Sequence, residues 1–83
     1  YIFKIMISTE EFLELFREEF EDTDVQLIIL STDFKKIDEW DSLVALSIIA
    51  MVDEEFEVLL TGNDMMKCAT IDDLYLRISS LLS

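Results

Sequence analysis

The sequence predicts an all-α fold, a small bundle of three to four helices with a long loop between the first and second. Three observations lead there. Proline is absent from the 83 residues and glycine occurs once, at Gly62, whereas an all-β domain needs far more turn-forming residues. Apolar residues recur at helical spacing in two stretches and nearly encircle a third. A capping residue stands ahead of each stretch: Ser8, Asp41 and Thr70. One domain is expected over 1–83, with 1–7 as a leader or extension and 8–82 as the bundle. So short a chain buries only about 60% of its unfolded surface, so its core has to be compact and simple.

The first helix starts at the capping box Ser8-Thr9-Glu10-Glu11, with Ile7 and Phe12 placed as a hydrophobic staple. Phe12, Leu13, Leu15, Phe16 and Phe20 form its core-facing stripe, so the helix is expected to reach about Phe20. From Glu21 to Glu39 no helical period holds. Val25 to Leu30 has the composition of a strand, but no second strand exists to satisfy its backbone. A loop is expected, with Leu27, Ile28 or Leu30 dipping into the core and Phe34, Ile37 and Trp40 as further anchors. A structureless connection this long is usually functional. The second helix spans about Ser42 to Glu55; ten of the fourteen residues from Leu43 to Phe56 are apolar. A helix that apolar is buried all round or offers a face to a partner, and in a domain this small part of it should be exposed. Thr61-Gly62-Asn63-Asp64 is a turn leading to a short helical turn, about Asp64 to Lys67. Thr70 caps the last helix, Asp72 and Asp73 complement its dipole, and Ile71, Leu74, Tyr75, Ile78 and Leu81 or Leu82 mark its core face.

Composition excludes several functions. Nineteen acidic residues against six basic ones give a net charge of −13. Phosphate backbones need clustered Lys and Arg, so no nucleic acid is expected as partner; basic protein surfaces suit this charge better. Hydrophobic content of 52% argues against disorder. A single cysteine, Cys68, makes no disulfide framework and fits a reducing cytoplasm. Histidine is absent, which removes the commonest general base and zinc ligand. Cys68 lacks a base and lies in an acidic field that raises a thiol pKa, so no enzyme is expected. Asp53, Glu54, Glu55 and Glu57 are a solvated face, and neither they nor Asp22-Thr23-Asp24 carry a Ca²⁺-loop pattern, so no metal is expected. Tyr1 to Ile7 is too short and charge-poor for a signal peptide; Met6 is expected as the natural start, with Tyr1 to Ile5 as an added leader. No run reaches the roughly 18–20 apolar residues of a membrane span. A monomer with no membrane association is expected.

The motif with chemical content is Trp40-Asp41-Ser42-Leu43. Asp41 is a strong N-cap. Ser42 then becomes the first helical residue, its hydroxyl near the positive end of the helix dipole, where an attached anion is favoured. Taken alone, Asp-Ser-Leu is a weak three-residue signal, and Ser42 better suits a serine that merely satisfies backbone groups at a helix start.

The chain resembles the acyl carrier protein family, the phosphopantetheine-binding carrier domains, over roughly Ser8 to Leu82. Asp41-Ser42-Leu43 matches the family's attachment motif, Glu54-Glu55-Phe56 its acidic close to the second helix, and Cys68-Ala69-Thr70-Ile71 the junction before the last helix, with no gap between Asp41 and Ile71. The resemblance implies a cofactor, 4′-phosphopantetheine, attached to Ser42 by a phosphopantetheinyl transferase, flanked by Asp41 and Leu43. It implies acyl cargo held as a thioester and no catalysis by the chain itself. Partners would be acyl-transferring or acyl-activating enzymes with basic or partly apolar docking surfaces.

Two departures from the family bear on partners and cargo. Members serving fatty-acid synthesis usually carry acidic residues where Val44 and Ser47 stand here. Val44, Ser47, Ala50, Met51 and Glu54 are the expected partner-docking residues, and their apolar character favours a dedicated carrier in a specialised fatty-acyl or polyketide-like pathway; Val44 also fits a tolerated surface apolar. Trp40 departs too, since a small residue is usual there. Leu46, Leu60, Met65, Cys68 and Leu74 are the expected acyl cleft. Met65, Met66 and Cys68 suit ordinary core as well, and flexible Met side chains either part for a chain or close the cleft to all but short groups. An aminoacyl, peptidyl or D-alanyl carrier, and an unmodified acidic interaction module of the same fold, remain as alternatives.

Overall fold

A computed structural model of the chain describes residues 8–82. They form four helices, α1 (Thr9–Arg17), α2 (Ser42–Phe56), α3 (Gly62–Met66) and α4 (Ile71–Leu82), and two 3₁₀ turns, Val25–Leu27 and Phe34–Lys36, in the α1–α2 loop. Among the described residues the only β-type pairing is one antiparallel bridge, Asp33 with Thr70. This is the all-α bundle with a long first loop that composition and spacing predict. The Ile7 half of the staple, the Tyr1–Ile5 leader and the Met6 start lie outside the described residues.

The capping box opens α1 as expected: the Ser8 hydroxyl accepts the Glu11 N–H at 3.1 Å, and the Glu11 carboxylate accepts the Ser8 N–H at 3.3 Å. The helix ends at Arg17, short of Phe20. Its last turn tightens, because the Glu19 and Phe20 N–H groups donate three residues back, to the carbonyls of Phe16 and Arg17 at 3.2 and 3.1 Å. Arg17 is diverted to the loop, where its Nε donates to the Ile28 carbonyl at 2.9 Å. Phe20 still reaches the core, stacked on Trp40 with ring centroids 6.4 Å apart.

The loop is irregular but fastened. Ile28 and Phe34 are fully buried, and Leu30, Ile37 and Trp40 pack against the core, while Leu27 faces solvent. The Glu39 carboxylate accepts the N–H groups of Glu21, Asp22 and Thr23 at 2.8, 3.1 and 2.9 Å and the Thr23 hydroxyl at 2.7 Å. It thereby closes the loop on itself. Asp72 N–H donates to the Leu30 carbonyl at 3.0 Å, tying the loop to α4.

α2 begins at Ser42 as predicted and runs to Phe56; Glu57 stops it in the left-handed region at φ 57°. α3 starts at Gly62, ahead of the expected Asp64, because Thr61 and Asp64 form a second capping box at 3.1 and 3.0 Å. The other Asp64 oxygen accepts two guanidinium N–H bonds from Arg77 at 2.9 and 2.7 Å, joining α3 to α4. At α4, the Thr70 hydroxyl accepts the Asp73 N–H at 3.1 Å.

The core is an aromatic chain with aliphatic packing around it. Phe12, fully buried, has the rings of Phe16, Phe56 and Tyr75 at 6.3, 5.9 and 5.7 Å. Phe16 meets Phe34 edge-on at 5.7 Å, and Phe34 meets Trp40 edge-on at 4.9 Å. Contacts run unbroken from α4 to the residue preceding the Asp41 cap, and such pairs add to burial itself. Phe12→Ala should therefore cost about 3–5 kcal/mol, read as a lower urea midpoint with an unchanged slope.

Asp64 generates an acid prediction. The Thr61 N–H and the Arg77 guanidinium favour its ionised form and hold its pKa at about 2, below the ordinary 3.8. Stability from this ion is present above 3.8 and lost as pH falls toward 2. Asp64→Asn should lower the urea midpoint at neutral pH and flatten the fall in stability across that acid window.

Candidate functional site

Local hydrogen bonding sets the head of α2. The Asp41 carboxylate accepts the Val44 N–H at 2.8 Å, and the Asp41 carbonyl accepts the Ala45 N–H at 3.0 Å. Asp41 is therefore the N-cap the sequence predicts, and Ser42 is the first residue of the helix. Ser42 is exposed. The N–H groups of Ser42 and Leu43 belong to the first turn and have no acceptor within the helix. They add to the positive end of a helix of 15 residues. The site thus offers an accessible hydroxyl where a covalently attached anion is electrostatically favoured.

Trp40 explains its own departure from the family pattern. Its ring fills the corner between Phe20 and Phe34, and its backbone N–H donates to the Ile37 carbonyl at 2.9 Å. A small residue there would leave the end of the loop without its anchor.

Beside Ser42 lies an open apolar depression of about 510 Å³. Trp40, Leu46, Ile49, Met65 and Met66 supply its apolar surface, and Lys35 stands at the rim. The Lys35 ammonium donates to the Met65 and Met66 carbonyls at 3.5 and 3.3 Å, which fixes the second 3₁₀ turn against the end of α3.

The five residues expected to bound an acyl cleft are not gathered in one space. Leu46 and Met65 line the depression, but Leu60, Cys68 and Leu74 are buried in the core. Spacing shows which residues are apolar but not which side of a short helix the chain turns inward. α3 turns Met65 in and leaves Met66 76% exposed. Sequence reasoning placed Met66 near the cleft without including it, and it omitted Lys35 and Ile49. Ile49 follows from helical spacing, since it lies seven residues beyond Ser42 on the same face; nothing local marks Lys35. Burial, with the Asp73 carboxylate, pushes the Cys68 thiol pKa up, in line with an unreactive cysteine.

The expected docking residues separate similarly. Leu43 is 72% and Leu46 60% exposed, so the apolar face predicted for α2 exists. Ala50 and Glu54 are exposed, Ser47 is half-buried, and Val44 is half-buried with its base against the core. Met51 is a correction: it is 8% exposed and belongs to the core. Adjacent positions on a helix point about 100° apart, so Ala50 and Met51 cannot share one outward face.

Among the described residues, no group of acidic and thiol side chains is arranged to hold a metal ion, and no helix is long and apolar enough to cross a membrane. No curated protein and no solved structure matches the chain significantly. The family defined by the phosphopantetheine attachment site matches residues 10–78, which takes in the fold from α1 to Ile78 of α4 with Asp41-Ser42-Leu43 inside it. The chain belongs to this family: it is a carrier domain, not an enzyme, that bears 4′-phosphopantetheine covalently on a serine.

Proposed function

We propose that Ser42 is the serine that carries the arm and that the cargo is an acyl group of a specialised fatty-acyl or polyketide-like pathway. The observation that carries the first part is the coincidence at one residue of solvent exposure, the first helical position and the Asp41 cap. The residues present fit the group. Free first-turn N–H groups suit the phosphodiester, and the depression beside Ser42 offers apolar surface next to the point of attachment. When bound, the arm supplies a terminal thiol on which an acyl group is held as a thioester.

The chain's own residues serve access and position. Ser42 presents its hydroxyl outside the core. Asp41 ties down the first turn, so the attachment point does not fray. Attachment forms the Ser42 Oγ–phosphorus bond and breaks the phosphoanhydride of coenzyme A, releasing the nucleotide portion. The hydroxyl proton leaves to a base of the phosphopantetheinyl transferase.

Partner choice rests on the strip Leu43, Val44, Ser47, Ala50 and Glu54. Carriers of this family meet transferases and acyl-handling enzymes, and here the strip is apolar at the Ser42 end and acidic at Glu54. The exposure of Leu43 and Leu46 supports partners that read a partly apolar surface. The same strip suits an aminoacyl, peptidyl or D-alanyl carrier in principle, but the surface beside Ser42 is apolar and favours an acyl cargo. A cytoplasmic setting accords with the buried, unpaired Cys68.

Incubation with coenzyme A, Mg²⁺ and a broad-specificity transferase should add a single phosphopantetheine to the intact mass, and Ser42→Ala should add none. An adduct retained in Ser42→Ala would move the site to another serine. No adduct with several transferases would favour the unmodified module. Val44→Asp with Ser47→Glu should lower kcat/KM for transfer by the cognate acyl-handling enzyme several-fold, and unchanged kinetics would remove the docking strip from partner choice.

A further inference from the structure

A furrow between α1 and α2, away from the depression beside Ser42, borders the docking strip but is not explained by it. It consists of two adjoining hollows of about 310 and 350 Å³ that share Leu15 and Glu55. Its floor is apolar: Leu15 of α1 with Ala50, Met51 and Phe56 of α2. Its walls in the second hollow are carboxylates, Glu18 and Glu19 from the turn that closes α1 facing Glu54 and Glu55 from α2.

Outside the furrow, Asp64 pairs with Arg77, and Glu39 and Asp73 hold backbone N–H groups. In the first hollow Glu14 is paired with Arg17 and Glu11 closes the Ser8 capping box. Glu18, Glu19, Glu54 and Glu55 have no ion-pair partner among the described residues. Glu19 is also crowded: partial burial, then Glu18, then Glu54 across the furrow raise its pKa. The turn after α1 and the foot of α2 thus present like charge to each other over an apolar floor, and among the described residues no cation lines this second hollow. Such an arrangement costs the isolated chain stability and suits an occupant that is apolar in the middle and cationic on both flanks.

We propose that the α1–α2 furrow is a docking groove for a basic amphipathic helix of a partner protein, its apolar stripe on Leu15, Ala50 and Met51 and its Lys or Arg side chains on Glu18, Glu19 and Glu54. Charge complementarity selects this occupant. A second copy of the chain would bring another net charge of −13 to the same place. A lone cation would leave the apolar floor uncovered. The groove also gives Met51 a part: buried in the helix pair, it is the floor on which the stripe rests. The inference rests on the docking strip already described, because Ser47, Ala50 and Glu54 border both, and it extends that surface from one helix to two.

The test uses the apo chain, so that it fails or succeeds separately from the modification of Ser42. The probe is a synthetic helical peptide of about four turns, with Leu and Ala along one stripe and Arg on both flanks, titrated into ¹⁵N-labelled protein. Amide shifts should concentrate on the 15–19 and 47–55 stretches. Glu19→Gln with Glu54→Gln should weaken binding roughly fivefold to tenfold. Asp22→Asn with Asp72→Asn, equal in charge but outside the furrow, should change it by less than about twofold. Ala50→Phe, which fills the floor and leaves charge untouched, should weaken it as well. Equal effects of the two charge pairs, or shifts centred elsewhere, would overturn the proposal, as would Mg²⁺ alone moving the same amides while the peptide does not.

Discussion

The Glu39 carboxylate is the interaction on which the geometry around Ser42 depends. It holds three consecutive N–H groups and a hydroxyl at the start of the α1–α2 loop, while its own backbone leads directly into Trp40 and Asp41. The loop's two ends are thereby brought together, and the irregular segment becomes a closed unit with Ile28 and Phe34 pointing inward. The bonds favour the ionised group, the Thr23 hydroxyl most, and lower the Glu39 pKa. With that clamp in place, Trp40 can stack on Phe20 and meet Phe34 edge-on, and α2 starts from a supported point.

The loop has to be this ordered because the chain is short. Four helices totalling 41 residues leave too little apolar surface for a core of their own, so the loop contributes two fully buried side chains and a tryptophan. A consequence is that Ser42 sits at the junction of the least regular and the most regular parts of the molecule. The aromatic chain from Tyr75 through Phe12, Phe16 and Phe34 to Trp40 carries rigidity to that junction. Ser42 stays exposed because everything next to it is anchored.

Charge is divided by task. Carboxylates at Asp41, Asp64, Asp73 and Glu39 cap or clamp backbone N–H groups and act on the fold. Those at Glu18, Glu19, Glu54 and Glu55 have no such work and line the proposed docking furrow. Val44 and Ser47 leave the Ser42 end of α2 uncharged, so the potential along the helix changes from apolar at its head to acidic at its foot. A partner reading this face would meet Leu43 and Leu46 beside Ser42 and carboxylates farther off.

The local features were legible in the sequence, because each depends on residues within four positions of one another. The Ser8 box, the Asp41 and Thr70 caps, the start of α2, the core stripe of α4 and the rejection of a strand at Val25–Leu30 all follow from side chains reaching neighbouring backbone groups or from helical period. The Thr61 box was equally local, and Asp64 three residues on was its signal. What only the tertiary structure decided involves distant partners. Glu39 lies 16 to 18 residues from the N–H groups it holds. Lys35 reaches Met65 and Met66 across 30 and 31 positions. Met51 goes inward beside an outward Ala50, and Leu60, Cys68 and Leu74 close into the core rather than lining a cleft. Apolar character tells which side chains leave water, but which neighbours they meet when they do is set by how the helices pack, and one sequence does not encode that pairing in any local pattern.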